Sequence, residues 1–138
     1  MQWLTFRAFS SGFEKPLDEQ IADKIASKVS TLTKLYVNNM LSMKPDAKEN
    51  LADLLAMILE NCQSLEELNF CYNHFSKESS EKIFVALSNS ENVQTLQKAV
   101  CFQMANFESD ETCAALADIV ASAPNLTEFK IGNQASYN

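Results

Sequence analysis

A nine-residue pattern recurs along this chain of 138 residues and constrains the fold more than any other feature. The clearest copy is Leu65–Asn73, which reads L-x-x-L-x-L-x-x-N with Phe70 in the third apolar position. Weaker copies begin at Met1, Leu32, Leu96 and Leu126, so successive copies start 31, 33, 31 and 30 residues apart. The first, fourth and sixth positions are always apolar. At an apolar content of 46%, chance would produce this in about one of 10⁵ trial registers, so the repeat is a property of the chain.

Each copy is predicted to form a short strand followed by a turn, because apolar and polar residues alternate within it. In the clearest copy, Leu65, Leu68 and Phe70 are expected to point into a core. The residues between them are expected to point to solvent, and Asn73 to close the turn. We expect the strand–helix–strand crossovers that join the copies to be right-handed.

Apolar residues at helical spacing predict a helix between each pair of strands and none after the fifth. The expected helix starts are Pro16, a capping box Asp46-x-x-Glu49, Ser79 or Ser80, and Ser109 or Asp110. The expected buried stripes are Leu17, Ile21, Ile25 and Val29; Leu51, Leu54, Leu55, Ile58 and Leu59; Ile83, Phe84 and Leu87; and Cys113, Leu116, Ile119 and Val120.

This alternation of strand motifs and helices resembles the leucine-rich repeat family, specifically its long-repeat, ribonuclease-inhibitor-like branch, over essentially the whole chain. The resemblance implies an α/β solenoid of about 4.5 repeats, with residues 1–138 in one domain. It also implies a parallel β-sheet on the concave face and α-helices on the convex face. The family's usual asparagine in the ninth position is present only at Asn73. The other copies carry Phe9, Met40, Met104 and Gln134 there, so their turns are expected to be bonded differently.

Composition narrows the class of partner. The net charge is −7, which disfavours nucleic acid and anionic lipid surfaces as ligands. No apolar run approaches the roughly 18 residues that a membrane span requires, and the N-terminal residues do not resemble a secretory signal. We therefore expect a cytoplasmic protein, with a cytoskeletal or ciliary location as one form of that.

The residues that usually carry catalysis or metal binding are sparse. The four cysteines form no Cys-x-x-Cys pair, and the single histidine, His74, has no partner at zinc-ligand spacing. We expect reduced, buried thiols rather than a disulfide framework. Cys71 lies three residues from His74, but no third group is identifiable that would orient such a pair. No phosphate-binding loop or nucleophile elbow is present, so we expect no enzyme, no cofactor and no metal.

The outward positions of the strands are where binding is expected, because repeat proteins of this kind bind through that surface. The candidate partner-binding residues are Trp3, Tyr36, Asn38, Asn69, Tyr72, Val100, Phe102 and Lys130. We expect the contacts to centre on Tyr36, Tyr72 and Phe102, since aromatic anchors often dominate binding energy. The alternative is that these are ordinary scattered surface aromatics.

Charges alternate at the third position of consecutive copies, which holds Lys34, Glu67, Lys98 and Glu128. Neighbouring parallel strands would place each of these charges beside opposite ones. A structural ladder is therefore expected, and recognition of a charged partner is the alternative.

These observations favour a non-enzymatic protein-binding scaffold that belongs to a larger multi-subunit assembly. The alternatives are a structural subunit of a cytoskeletal or axonemal complex, and an adaptor of the GTPase-regulator or ubiquitin-ligase type. Both edges of the predicted sheet are expected to be open, at Met1 and after Leu126. That predicts burial in an assembly, self-association, or a chain excerpted from a longer solenoid.

Overall fold

The strands and helices alternate as the repeat predicts. The computed structural model of the protein describes residues 3–6, 19–38, 44–102 and 109–132. Its elements are β1 (Trp3–Phe6), α1 (Glu19–Val29), β2 (Lys34–Asn38), α2 (Pro45–Asn61), β3 (Glu67–Cys71), α3 (Lys77–Ser88), a 3₁₀ helix (Glu91–Gln94), β4 (Lys98–Phe102), α4 (Asp110–Ser122) and β5 (Glu128–Gly132).

The strands form one parallel sheet in the order β1-β2-β3-β4-β5. Equivalent positions of the repeat lie side by side, so that Leu35 is opposite Leu68, and Leu68 is opposite Ala99. Each new strand is added to the same edge of the sheet. When all the strand–helix–strand crossovers have the same handedness, every helix lies on the same face of the sheet.

The buried apolar side chains of the described residues form one cluster between the sheet and the helices. The predicted alternation of buried and exposed residues along the strands is confirmed. Leu35, Leu68 and Phe70 are fully buried, while their neighbours within the same strand are half-exposed. The stripes predicted for α2 and α3 are confirmed in full. Of the first stripe, Val29 is buried and Ile25 is half-buried. Among the described elements, the helices therefore cover one face of the sheet and no element covers the other face.

Two of the predicted helix starts were wrong. Helix α2 begins at Pro45, and Lys44 occupies the N-cap without a side-chain hydrogen bond, so Asp46 lies in the first turn and forms no capping box. Proline suits the first helical position, so the N-cap lies two residues earlier than the predicted capping box places it. Helix α3 begins at Lys77 rather than near Ser79, because the hydroxyl of Ser76 accepts a hydrogen bond from the Ser79 N–H, N to Oγ 3.1 Å. The Ser109 cap of α4 is confirmed.

The stripe predicted for α4 was wrong at two positions. Cys113 is exposed, and 52% of Val120 is exposed. Ile119 is buried as predicted, and Ala115 is buried beside it. Among the described elements α4 packs mainly on α3, and no described helix follows it to cover its far side.

Several predictions fall outside the described residues: Met1, Phe9, Pro16, Leu17, Met40, Met104 and Gln134. The side chains of Ile21 and Phe102 are likewise not described. Within the described ranges, no helix is long and apolar enough to cross a membrane.

Candidate functional site

The candidate site is the face of the sheet opposite the helices, called the uncovered face below. Its side chains come from alternate strand positions and are arranged in rows that cross the sheet. The first row is Trp3, Lys34, Glu67, Lys98 and Glu128, and the second is Thr5, Tyr36, Asn69, Val100 and Lys130. The rows are straight because each strand pairs with the next at the same position of the repeat.

The first row is the predicted ladder of alternating charges, and it is confirmed. Nζ of Lys34 lies 3.6 Å from a carboxylate oxygen of Glu67, and the other oxygen of Glu67 lies 3.9 Å from Nζ of Lys98. Lys98 also contacts Glu128 at 3.4 Å. These side chains are partly exposed, so each pair contributes only about 0.2–1 kcal/mol. The ladder therefore satisfies its own charges at little gain in stability.

Both ends of the ladder have a further contact. At one end, Nζ of Lys34 lies 4.7 Å from the ring centroid of Trp3, a cation–π distance, while 61% of Trp3 remains exposed. At the other end, Lys130 reaches back from the second row to Glu128 at 3.0 Å. The hydrogen bond from Lys130, together with the charges of Lys130 and Lys98, holds the pKa of Glu128 below its ordinary value.

Tyr36 connects the two rows. Burial raises the pKa of its phenol, and the charge and hydrogen bond of Glu67 raise that pKa further. Glu67 therefore interacts with Lys34, Lys98 and Tyr36. The sequence pattern predicted its contacts with the two lysines but not its contact with Tyr36.

Asn69 lies between Tyr36 and Val100 in the second row, at the centre of the sheet. Its Oδ1 atom is buried and accepts no hydrogen bond from any described residue, although the residue as a whole is half-exposed. A buried acceptor without a donor costs about 1–3 kcal/mol. Because this atom is covered in the single chain, a donor from another molecule could reach it only after the Asn69 amide rotated.

The turn after β3 is held by two asparagine side chains. Asn73 is fully buried, and its Nδ2 donates to the carbonyl oxygen of Val37 at 2.7 Å, so the predicted role of Asn73 is confirmed. Asn38 accepts a hydrogen bond from the Cys71 N–H, N to Oδ1 3.0 Å. The predicted binding residue Asn38 thus also has a structural contact. Tyr72, directly after β3, has a φ of 61° and is 39% exposed.

The structure brings some of the predicted binding residues together and separates others. Tyr36, Asn69, Val100 and Lys130 share one row, whereas Trp3 lies at the far end of the ladder. Tyr72 lies in the turn after β3. The backbone of Phe102 lies beside Gly132 in β5, and its side chain is outside the described part. Whether the three aromatic residues form one patch stays a prediction.

Cys71 and His74 are not arranged as a nucleophile and a base. The Sγ atom of Cys71 lies 3.9 Å from the carbonyl oxygen of Val100 on the neighbouring strand. His74 is exposed in the turn, and its carbonyl oxygen accepts a hydrogen bond from Nζ of Lys48 at 3.4 Å. None of the four cysteines forms a disulfide; Cys62 and Cys101 are buried as predicted, whereas Cys71 is half-buried.

Two clefts border these surfaces. One, of about 260 Å³, lies against the charged row and is lined by Lys34, Glu67, Lys98 and Glu128. The other, of about 750 Å³, lies among α2, α3 and α4, and its lining includes Glu60, Glu78, Glu81 and Glu111. In the part of the chain that the structure describes, no group of three or more His, Cys, Asp or Glu residues is placed to hold a metal ion.

Comparisons with family models, with curated proteins and with solved structures returned no match. The function is accordingly argued below from the geometry of the uncovered face.

Proposed function

We propose that this chain is a leucine-rich-repeat-type solenoid of about 4.5 repeats that binds another protein through its uncovered face. In this proposal the uncovered face is the concave side of the solenoid, and the protein is a scaffold without enzymatic activity inside a larger assembly. The proposal is supported by strands that follow one another in order and pair at equivalent positions of the repeat.

The observation that carries the proposal is the second row of the uncovered face. Tyr36 supplies a half-buried aromatic ring, Val100 supplies apolar area, and Asn69 between them supplies a buried acceptor with no donor in the described residues. Apolar contact beside a small number of polar groups is the usual composition of a specific binding surface. Asn69 as a whole is half-exposed, so rotation of its amide would present the oxygen to an N–H or O–H of a bound protein segment and remove the cost of the unsatisfied acceptor.

The charges of the uncovered face bear on the kind of segment that binds there. Lys34, Lys98 and Lys130 oppose Glu67 and Glu128, and all five take part in ion pairs. These five charges sum to +1, so the uncovered face offers only a weak net field for a strongly charged partner. We infer that recognition depends on Tyr36, Asn69 and Val100, and that the ladder determines which segments are tolerated beside them.

The test compares proteins that copurify with the wild type and with the double variant Tyr36→Ala, Asn69→Ala, quantified by mass spectrometry. The matched control is Glu60→Ala with Lys77→Ala, which alters exposed residues of α2 and α3. We expect the face variant to lose its main partners and the control to keep them. Each partner is then titrated in purified form, and the face variant is expected to bind at least about tenfold more weakly.

The same experiment separates the forms that the function could take. One dominant stoichiometric complex indicates a structural subunit, and several substoichiometric partners indicate an adaptor. Equal recovery of all partners with the face variant, together with their loss from the control, would overturn the proposal.

A further inference from the structure

The outer end of the fold, formed by α4 and β5, exposes positions that the preceding helix buries. The N-caps Ser76 and Ser109 align α3 with α4. In α3 the aligned positions Ser80, Ile83, Phe84 and Leu87 are each 0–1% exposed. Their counterparts in α4 are Cys113, Leu116, Ala117 and Val120, of which Leu116 is half-exposed and the others are exposed.

These α4 positions carry no charge, although they face water in a single copy. The apolar surface continues into β5, where Phe129 and Ile131 are only half-buried. Their counterparts Leu68 and Phe70 in β3 are fully buried. We call this surface, made of Leu116, Ala117, Val120, Phe129 and Ile131, the end face.

The backbone of β5 is available for pairing along the end face. The N–H of Glu128 donates to the Gln97 carbonyl oxygen, N to O 3.2 Å, which directs Glu128 toward β4. Because successive residues of a strand direct their N–H and C=O groups to opposite sides, those of Phe129 and Ile131 are directed outward. Among the described strands, none lies on that side of β5.

The charges of β5 are complementary to those of a second, antiparallel copy of β5. A two-fold axis through Phe129 places Phe129 opposite its own copy as a hydrogen-bonded pair. Glu128 of each copy then lies opposite Lys130 of the other, on the uncovered face. Shifting the axis by one residue along the strand in either direction places Lys130 against Lys130 or Glu128 against Glu128. Glu128 and Lys130 already contact each other within one chain at 3.0 Å. The register centred on Phe129 differs from the two shifted registers because it places opposite and not like charges across the axis.

We propose that the chain forms a two-fold symmetric dimer by antiparallel pairing of β5 with β5 of a second copy, which packs the two end faces together. The axis is perpendicular to the sheet, so both sets of helices lie on the same side and α4 lies beside its copy. Leu116 and Val120 are then removed from water. The interface shares only Lys130 with the second row of the uncovered face. Its test measures self-association and not partner binding, so its failure is distinguishable from failure of the proposed function.

The opposite edge of the sheet is a weaker candidate for self-association. On the uncovered face β1 contributes Trp3 and Thr5, neither of which is charged. Pairing of β5 with β1 of a second copy would place Glu128 beside Trp3 and Lys130 beside Thr5, with no new ion pair. Such head-to-tail contacts also need not close and tend to give filaments.

The experiment is sedimentation equilibrium of the full chain from low micromolar to near-millimolar concentration. We expect the wild type to approach a dimer. Glu128→Lys and Lys130→Glu each place like charges across the two-fold axis and should weaken dimerisation at least about tenfold. The double variant Glu128→Lys, Lys130→Glu restores opposite charges and should recover most of that loss.

Mixing the two single variants provides the sharpest outcome. In the mixture, the copy with Glu128→Lys has lysine at both positions of the pair, and the copy with Lys130→Glu has glutamate at both. A one-to-one heterodimer therefore regains both ion pairs, while each variant alone stays mainly monomeric. Val120→Asp on α4 should also produce a monomer, and the charge reversal Lys24→Glu on α1 serves as the matched control. Circular dichroism verifies that each variant is folded.

A wild type that stays monomeric throughout, or that grows into open-ended oligomers, would overturn the proposal. So would dimerisation that is insensitive to the single charge reversals or a mixture that forms no heterodimer.

Discussion

Nδ2 of Asn73 donates a hydrogen bond of 2.7 Å to the carbonyl oxygen of Val37, so a turn in one repeat is fixed by the strand of the repeat before it. Asn73 is fully buried, and the residues on either side of it, Tyr72 and His74, have φ values of 61° and 52°. Residues other than glycine adopt this left-handed backbone region only at a cost in conformational energy. The asparagine therefore holds a backbone conformation that the flanking residues do not favour.

Replacement of Asn73 by alanine should lower the free energy of unfolding by about 1–3 kcal/mol, because the Val37 carbonyl is left buried without this donor. Urea denaturation monitored by circular dichroism measures the change. Asn61→Ala is the matched control, since Asn61 makes a bond of the same length to the Met57 carbonyl but is exposed. Equal losses in the two variants would show that burial at Asn73 does not matter.

A second asparagine, Asn92, should be at least as sensitive. Its Nδ2 donates to the Leu59 carbonyl at 2.9 Å, and its Oδ1 accepts from the Leu65 N–H at 3.0 Å. Asn92 is fully buried, and its hydrogen bonds link the end of α2 to the segment just before β3. Asn92→Ala leaves both backbone groups unsatisfied and should cost about 2–4 kcal/mol by addition of two such groups. Asn125→Ala is the control, because Asn125 makes the corresponding bond to Gln94 at the exposed end of the fold, and it should cost under about 1 kcal/mol.

Helix α2 should be stabilised by a better N-cap. Lys44 occupies that position without a side-chain hydrogen bond, whereas Ser76 and Ser109 each accept one from their helix. Lys44→Ser should therefore raise the free energy of unfolding by about 0.5–1 kcal/mol, and Ser109→Ala should lower it by about 1 kcal/mol. Thermal unfolding of both variants checks the two signs, and a loss of stability in Lys44→Ser would contradict the assignment of Lys44 as the cap.

Glu67→Gln should lower the pKa of Tyr36 toward its ordinary value. Burial would still raise that pKa, but the charge of Glu67 would no longer add to it. The raised pKa means that the folded chain keeps a proton which the unfolded chain releases above about pH 10. Stability is therefore lost as the pH rises through the folded-state pKa of Tyr36, and less is lost in the variant. Tyrosinate absorbance measures the pKa, with Glu66→Gln as control; unchanged titration in Glu67→Gln would remove the Tyr36–Glu67 interaction.

The buried thiols should react only on unfolding. Burial raises the pKa of both Cys62 and Cys101, and the thiolate is the reactive form. In dilute solution Cys113, which is exposed, should be alkylated first. Peptide mass spectrometry after timed exposure to iodoacetamide, with and without urea, measures the order. Rapid labelling of Cys101 in the absence of urea would contradict its position in the core.

The sequence alone determined which strand residues face the core and which residues neighbour one another across the sheet. Both follow from regularity: side chains alternate along a strand, and units of nearly equal length pair at equivalent positions. The ladder from Lys34 to Glu128 was therefore predictable from four charged residues spaced about one repeat apart.

Only the tertiary structure determined the contacts that depend on how one unit packs on the next. Asn92 carries no signal in the strand pattern, and its role arises because the 3₁₀ helix places it against residues about one repeat earlier. Cys113 and Val120 were predicted to be buried because their spacing matches an apolar stripe, yet their exposure depends on whether another element covers α4. The unsatisfied oxygen of Asn69 is likewise a property of its neighbours. Local periodicity determines the direction of a side chain, whereas burial and hydrogen bonding depend on the residues that long-range packing brings to it.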